Sequence, residues 1–135
     1  MSQRRPIRTM IVAAVAIMSV LPTAAAAQTT DGDTTPPTAP YVGYASGLQW
    51  FGPCSVTVGL YRSTDDVTPQ PELIYEVFAD GVSLGTLSDN GADSGVWGGL
   101  KLNHAGSNTI TAKAIDAAGN RSARSNAQVI TGYAC

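Results

Sequence analysis

Histidine appears once in these 135 residues, cysteine twice, and charged side chains make up only 13% of the chain. Each shortage removes a class of function. A zinc centre takes three or four nitrogen, sulfur or carboxylate ligands, and one histidine with two widely separated cysteines has no such spacing. No metal or cofactor is expected. General acid–base catalysis most often recruits histidine, but His104 sits in a polar turn (LNHAGSN) where a surface role is expected. Eight Lys and Arg against ten Asp and Glu leave no basic patch to neutralise phosphates, which argues against a nucleic-acid partner. The longest apolar run, 10–21 (MIVAAVAIMSVL), has 12 residues. A membrane-spanning helix needs roughly 20.

That short run has a different meaning at the start of a chain. Arg4, Arg5 and Arg8 precede it, and Pro22 with a stretch of small residues ending at Ala27 follows it. A positive segment, an apolar segment and an A-x-A site in this order read as a secretory signal peptide, 1–27, cleaved after Ala27. The Arg4-Arg5 pair suggests a twin-arginine signal, but Pro6 and Arg8 fit that pattern poorly, so the general secretory route is expected. No cysteine follows the run to accept a lipid, so the protein is expected to be secreted or wall-associated, off the membrane once the leader is gone. Removal of three arginines leaves five Lys/Arg against ten Asp/Glu, a charge of −5 on 108 residues. That length suits one domain, expected to be a monomer.

Residues 28–40 (QTTDGDTTPPTAP) hold almost nothing apolar and read as a flexible Pro/Thr-rich lead. From 41 onward the pattern is short alternation broken by Gly, Asn, Asp and Pro, with no helical period over ten residues. Segment 54–62 (CSVTVGLYR) sets Val56, Val58 and Leu60 on one face and Thr57, Gly59 and Tyr61 on the other, a half-buried strand. In 73–79, Leu73, Tyr75 and Val77 oppose Ile74, Glu76 and Phe78. Asp80-Gly81 then predicts a two-residue hairpin turn into 82–86, because both residues tolerate positive φ. Strands are also expected at 108–116 and 126–131, with weaker signals at 40–45 and 96–102. Seven short strands separated by turns predict an all-β, two-sheet sandwich.

In order along the chain, DTTPPTAP (33–40), RSTDDVTP (62–69), YEVFADGVSLGT (75–86) and AIDAAGNRSARSN (114–126) resemble fibronectin type III modules of secreted bacterial proteins. The last segment also resembles the closing strands of bacterial immunoglobulin-like domains. The resemblance implies a domain over 41–135 and is poorly specific for function. Asn108 stands where the family carries a corner tyrosine, and most members lack cysteines. An amide at 108 could cap the same turn. In a seven-stranded sandwich the second strand begins and the seventh ends at one pole, on opposite sheets. Cys54 and Cys135 should therefore meet there as a disulfide, with a bond from Cys135 to a partner chain as the alternative.

Candidate sites are few. Asp65-Asp66 and Asp89 with Asp93 could suggest a glycosidase carboxylate pair, but they fall in polar loops where solvated acids are the default. Asp31-Gly32-Asp33 resembles half of a calcium loop without its closing Glu. Asn120-Arg121-Ser122 fits the glycosylation pattern, which is idle under bacterial export. Trp50, Phe51 and Trp97 are the aromatic candidates for glycan contact, each a core residue or an exposed stacking platform. Ile74 and Phe78 form an apolar outward face able to touch another chain. The leading expectation is a non-enzymatic extracellular module that binds or spaces. Alternatives are a carbohydrate-binding protein for an extracellular polysaccharide and a small factor that contacts another secreted protein.

Overall fold

The computed structural model describes residues 32–47, 52–89, 91, 94–133 and 135. The proposed leader, Asp31, Trp50, Phe51 and Asp93 lie outside them. Seven strands form, in order β1 (Tyr41–Ser46), β2 (Ser55–Tyr61), β3 (Ile74–Ala79), β4 (Val82–Ser88), β5 (Val96–Lys101), β6 (Gly106–Ile115) and β7 (Gln128–Gly132), with one 3₁₀ turn at Gln70–Glu72. They make two antiparallel sheets, β1-β2-β5 and β4-β3-β6-β7. The chain is a β-sandwich.

Alternation places the core where the sequence predicts it. Val56, Val58 and Leu60 of β2 pack between the sheets with Leu73, Tyr75 and Val77 before and on β3, and with Ile110, Ala112 and Ala114 of β6. Their opposite-face neighbours point outward because the side-chain period of a strand is two. The Tyr75 hydroxyl, buried with its ring, accepts the Ser63 N–H at 3.0 Å. Burial pushes its pKa above the ordinary value of 10.0. Asp80 and Gly81 take φ of 50° and 84°, the left-handed pair that a two-residue hairpin requires. Past the turn the β3–β4 register shifts between Val77 and Phe78.

Cys54 and Cys135 form a disulfide with Cα atoms 4.4 Å apart. It bridges the start of β2 in one sheet to the segment after β7 in the other. The Cys54 N–H also donates to the Tyr133 carbonyl at 3.0 Å, so the backbones converge at this pole. Asn108, fully buried, donates from Nδ2 to the Gly106 carbonyl at 2.9 Å and closes the turn that opens β6.

Two expectations change. The lead is not loose over its described part: Pro37 and Pro40 are buried, and Thr38 N–H donates to the Thr64 carbonyl at 2.9 Å. The loop after β2 supplies the partners that this segment cannot supply itself, and proline can be buried there because it has no N–H to satisfy. The Ile74/Phe78 face is not a continuous apolar patch either. Phe78 is only 8% exposed, with the Arg124 guanidinium 5.2 Å above its ring. A cation over the π face covers what alternation alone leaves bare.

Candidate functional site

The outer face of β1-β2-β5 carries four aromatic side chains in two rows that cross the strands. Tyr44 pairs with Gly59, and Gly59 with Trp97; Tyr41 pairs with Tyr61. Val42, Leu60 and Val96 face the core, so alternation turns Tyr41, Tyr61 and Trp97 outward, and the bulge between Val42 and Tyr44 brings Tyr44 to the same face. Each row is closed by contact between rings. Tyr44 and Trp97 centroids lie 5.6 Å apart and Tyr41 and Tyr61 centroids 5.8 Å apart, both tilted. Such tilted pairs are within the favourable range for aromatic contacts.

Two glycines make the face shallow. A Cβ at Gly59 would stand 2.7 Å from the Trp97 ring, and one at Gly43 would stand 2.6 Å from the Tyr61 ring. The rings lie over backbone that carries no side chain, which is a known use of glycine inside a strand. The Trp97 indole N–H donates to the Ser94 carbonyl at 3.2 Å and fixes the ring's direction. With its inner face on Gly59, Trp97 is still 44% exposed. Between these rings is a depression of about 210 Å³ floored by Gly43 and Gly59. It is smaller and flatter than a pocket that engulfs a drug-sized ligand. A planar or chair-shaped ring laid flat suits it.

One end of this platform is polar. A second depression shares Tyr61 and Ser94 and adds Arg62, Gln70 and Gly95. Arg62 grips Asp89 through Nε and, at 2.9 Å, through Nη2. The Asp89 side chain is 1% exposed, and the Arg62 bond holds its carboxyl below the ordinary 3.8. A carboxylate so held stays ionised and makes a poor proton donor.

The other candidates from sequence scatter. Asp65 accepts the Val67 and Thr68 N–H groups and shapes its own turn. His104 meets Asp80 at 3.1 Å on the surface; the Ala105 carbonyl and then Asp80 raise its pKa above 6.5. Asp80 in turn accepts the Thr109 N–H at 2.9 Å, which lowers its pKa, so the pair latches the β3–β4 turn to β6. Of the three aromatics singled out, Trp97 belongs to the platform, and Trp50 and Phe51 lie outside the described residues. Tyr41, Tyr44 and Tyr61 were missed. The available signal was a tyrosine close to a mid-strand glycine, Gly43 before Tyr44 and Gly59 two residues before Tyr61.

No family model and no curated protein matches the chain. Among solved structures it is similar to the Clostridium perfringens spore cortex lytic enzyme SleM, with 19% identity and a TM-score of 0.50, over 72% of this chain and 29% of that one. It is also similar to the PKD domain of an M14-like peptidase from a Thermoplasmatales archaeon (19% identity, TM-score 0.47, 73% of this chain and 97% of that one). A third is the Yersinia enterocolitica family 28 exopolygalacturonase (18%, 0.45, 75% and 21%). The chain thus spans less than a third of SleM, and the likeness to it bears on the sandwich fold alone.

Proposed function

We propose that this protein is a non-enzymatic extracellular module that holds a glycan by stacking sugar rings on the β1-β2-β5 face. The observation that carries the reading is the Tyr44–Trp97 row over Gly59, an exposed aromatic surface with a glycine floor. Aromatic faces offer large apolar area with polar rims, and Arg62 and Gln70 at one end can meet hydroxyl groups. The leader-like start and the disulfide support an oxidising, extracellular setting. In this sandwich β4 pairs with β3 rather than joining the β1-β2-β5 sheet. An immunoglobulin constant-type arrangement would place it in the latter. That order favours a fibronectin type III-like module.

Sedimentation of the protein with insoluble cellulose, chitin, β-glucan and peptidoglycan tests the reading. Depletion from the supernatant by at least one of them, lost in Trp97→Ala while the variant keeps its melting cooperativity, is expected. Binding to none of the polysaccharides, soluble or insoluble, together with capture of a secreted protein through the same face, replaces the glycan with a protein partner.

A further inference from the structure

At the pole opposite the disulfide, three carboxylates from three separate segments converge. Asp33 comes from the lead, Asp65 from the loop after β2 and Asp116 from the residue after β6. One oxygen from each lies within 4.8 Å of one from each of the others. Like charges this close repel, and among the described residues no Lys, Arg or His pairs with any of the three. The arrangement is built into the fold rather than displayed on it. Asp116 is only 5% exposed, and its carboxylate is aligned by the Asn120 backbone N–H at 2.7 Å and Nδ2 at 2.8 Å. Asn120 Nδ2 also donates to the Asp33 carbonyl at 3.0 Å, tying the lead to the same loop.

A second observation points to a ligand. Asp33 Oδ2 and Asp65 Oδ1 each expose less than 1 Å² and have no hydrogen-bond partner. The sister oxygens are used: Asp33 Oδ1 accepts the Thr35 N–H at 3.0 Å, and Asp65 Oδ2 accepts the Thr68 N–H at 2.8 Å. A buried carboxylate oxygen without a donor costs free energy unless something cationic meets it. Both belong to the partly buried members of the cluster whose third carboxylate, Asp116, is buried.

We propose that Asp33, Asp65 and Asp116 bind a calcium ion that fastens the lead to this pole of the sandwich. Oxygen-only ligands select a hard cation. Calcium sits about 2.3–2.6 Å from its ligands, so oxygens sharing one ion stand no more than about 5 Å apart, a bound that the three carboxylates satisfy. Water and loop carbonyls complete its larger, flexible shell, whereas magnesium demands a tighter octahedron. The loop spacing known from linear calcium motifs does not apply, because the ligands come from residues 33, 65 and 116.

Calorimetric titration of the EDTA-stripped full chain with CaCl₂ tests the site, together with melting in calcium and in EDTA. Extracellular modules bind calcium at about 10⁻⁴–10⁻³ M, and binding in that range is expected here. At free calcium tenfold above Kd, Tm should rise by about 5–10 °C over EDTA. Asp33→Asn and Asp65→Asn retain the oxygen that serves the backbone, so each should fold and lose calcium affinity at least tenfold. Asp116 is left intact because it also holds Asn120. No heat and no Tm shift at 10 mM CaCl₂, with the two variants more stable than wild type in EDTA and calcium alike, overturns the site. An equal shift with MgCl₂ overturns the choice of calcium, and a calcium shift preserved in both variants places the ion elsewhere.

Discussion

Gly59→Ala separates the shape of the aromatic face from the stability of the sandwich. Gly59 is buried at the centre of β2 and does not have a positive φ, so alanine suits its backbone. The added methyl lies 2.7, 2.8 and 2.9 Å from three atoms at the far end of the Trp97 ring. Ordinary contact begins near 3.4 Å, so the ring must retreat by roughly 0.7 Å or swing to another rotamer. Trp97 is on the surface and can move without disturbing the core. An off-rotamer ring costs about 0.5–1.5 kcal/mol, and removing glycine from the unfolded chain returns about 0.4–1 kcal/mol. Net stability should therefore change by less than about 1 kcal/mol.

Ligand binding should suffer more. Trp97 is 44% exposed, and a Trp side chain carries up to about 250 Å², so about 110 Å² is free for a sugar ring to cover. At about 25 cal/mol per Å² that area is worth at most about 2.7 kcal/mol, roughly a hundredfold in Kd. Trp97→Ala forfeits all of it. Gly59→Ala, which tilts the ring and separates it from Tyr44, should forfeit a tenfold share. Depletion isotherms on the bound glycan give the Kd, near-UV circular dichroism reports the indole's environment, and urea unfolding gives stability. A Gly59→Ala protein with wild-type dichroism and wild-type binding refutes the placement of the ring over Gly59. A loss above about 3 kcal/mol would show that the cost is not confined to the surface ring.

Four further outcomes follow from single features. Replacing both Cys54 and Cys135 by Ser removes a cross-link between residues 81 apart, for which chain entropy predicts a loss of about 4.5 kcal/mol; urea midpoints of the two proteins measure it, and a loss under about 1 kcal/mol contradicts the estimate. Tyr75→Phe orphans the buried Ser63 N–H and should cost about 1–3 kcal/mol by chemical unfolding. The Asp89 carboxyl has a folded pKa below 3.8, so its contribution is present above that value and fades as pH falls through the lower folded value. His104 has the opposite sign. Its raised pKa contributes stability below 6.5 that is lost as pH rises through the folded value. Melting curves across pH should show the acid limb flattened in Asp89→Asn and the neutral limb flattened in His104→Gln.

What the sequence disclosed was local or topological. Alternation in 54–62 and 73–79 identified the inward residues, and Asp80-Gly81 identified its turn, because each signal lies within a few neighbouring positions. The disulfide was legible at long range because strand order alone brings the start of β2 and the end of β7 to one pole. The platform was legible only through Trp97. Its other members sit on two further strands; alternation marks Tyr41 and Tyr61 as outward without showing that register aligns them, and Tyr44 shares the parity of the buried Val42 and faces out only through the bulge between them. Phe78 misled for a similar reason, since the arginine that covers it is 46 residues away in sequence. Of the acidic cluster only separate pieces were legible, Asp31-Gly32-Asp33 as half of a calcium loop and Asp65-Asp66 as a carboxylate pair. Asp33 was read within a lead expected to be loose, so its meeting with Asp65 and Asp116 had no local trace.

The platform's geometry depends on an edge strand staying in register. Tyr44 belongs to β1, at the border of a three-stranded sheet, and a one-residue slip would turn it to the other face. Two constraints prevent that slip. The bulge between Val42 and Tyr44 matches one alignment with β2. On the free side of β1, the Asn126 side chain acts as a substitute strand, its Oδ1 accepting the Val42 N–H at 2.7 Å and its Nδ2 donating to the Val42 carbonyl at 3.0 Å. Gln128 Nε2 donates to the same carbonyl at 3.0 Å. An edge filled in this way cannot recruit another chain's strand at Val42, which keeps the sheet closed to aggregation there. Asn126 is reached through the segment after Asp116, and β1 through the lead that carries Asp33. The carboxylate pole therefore anchors both sides of this clamp, while the disulfide fixes the opposite end of β2, at Cys54. A rigid aromatic row across three strands is what this pair of anchored poles permits.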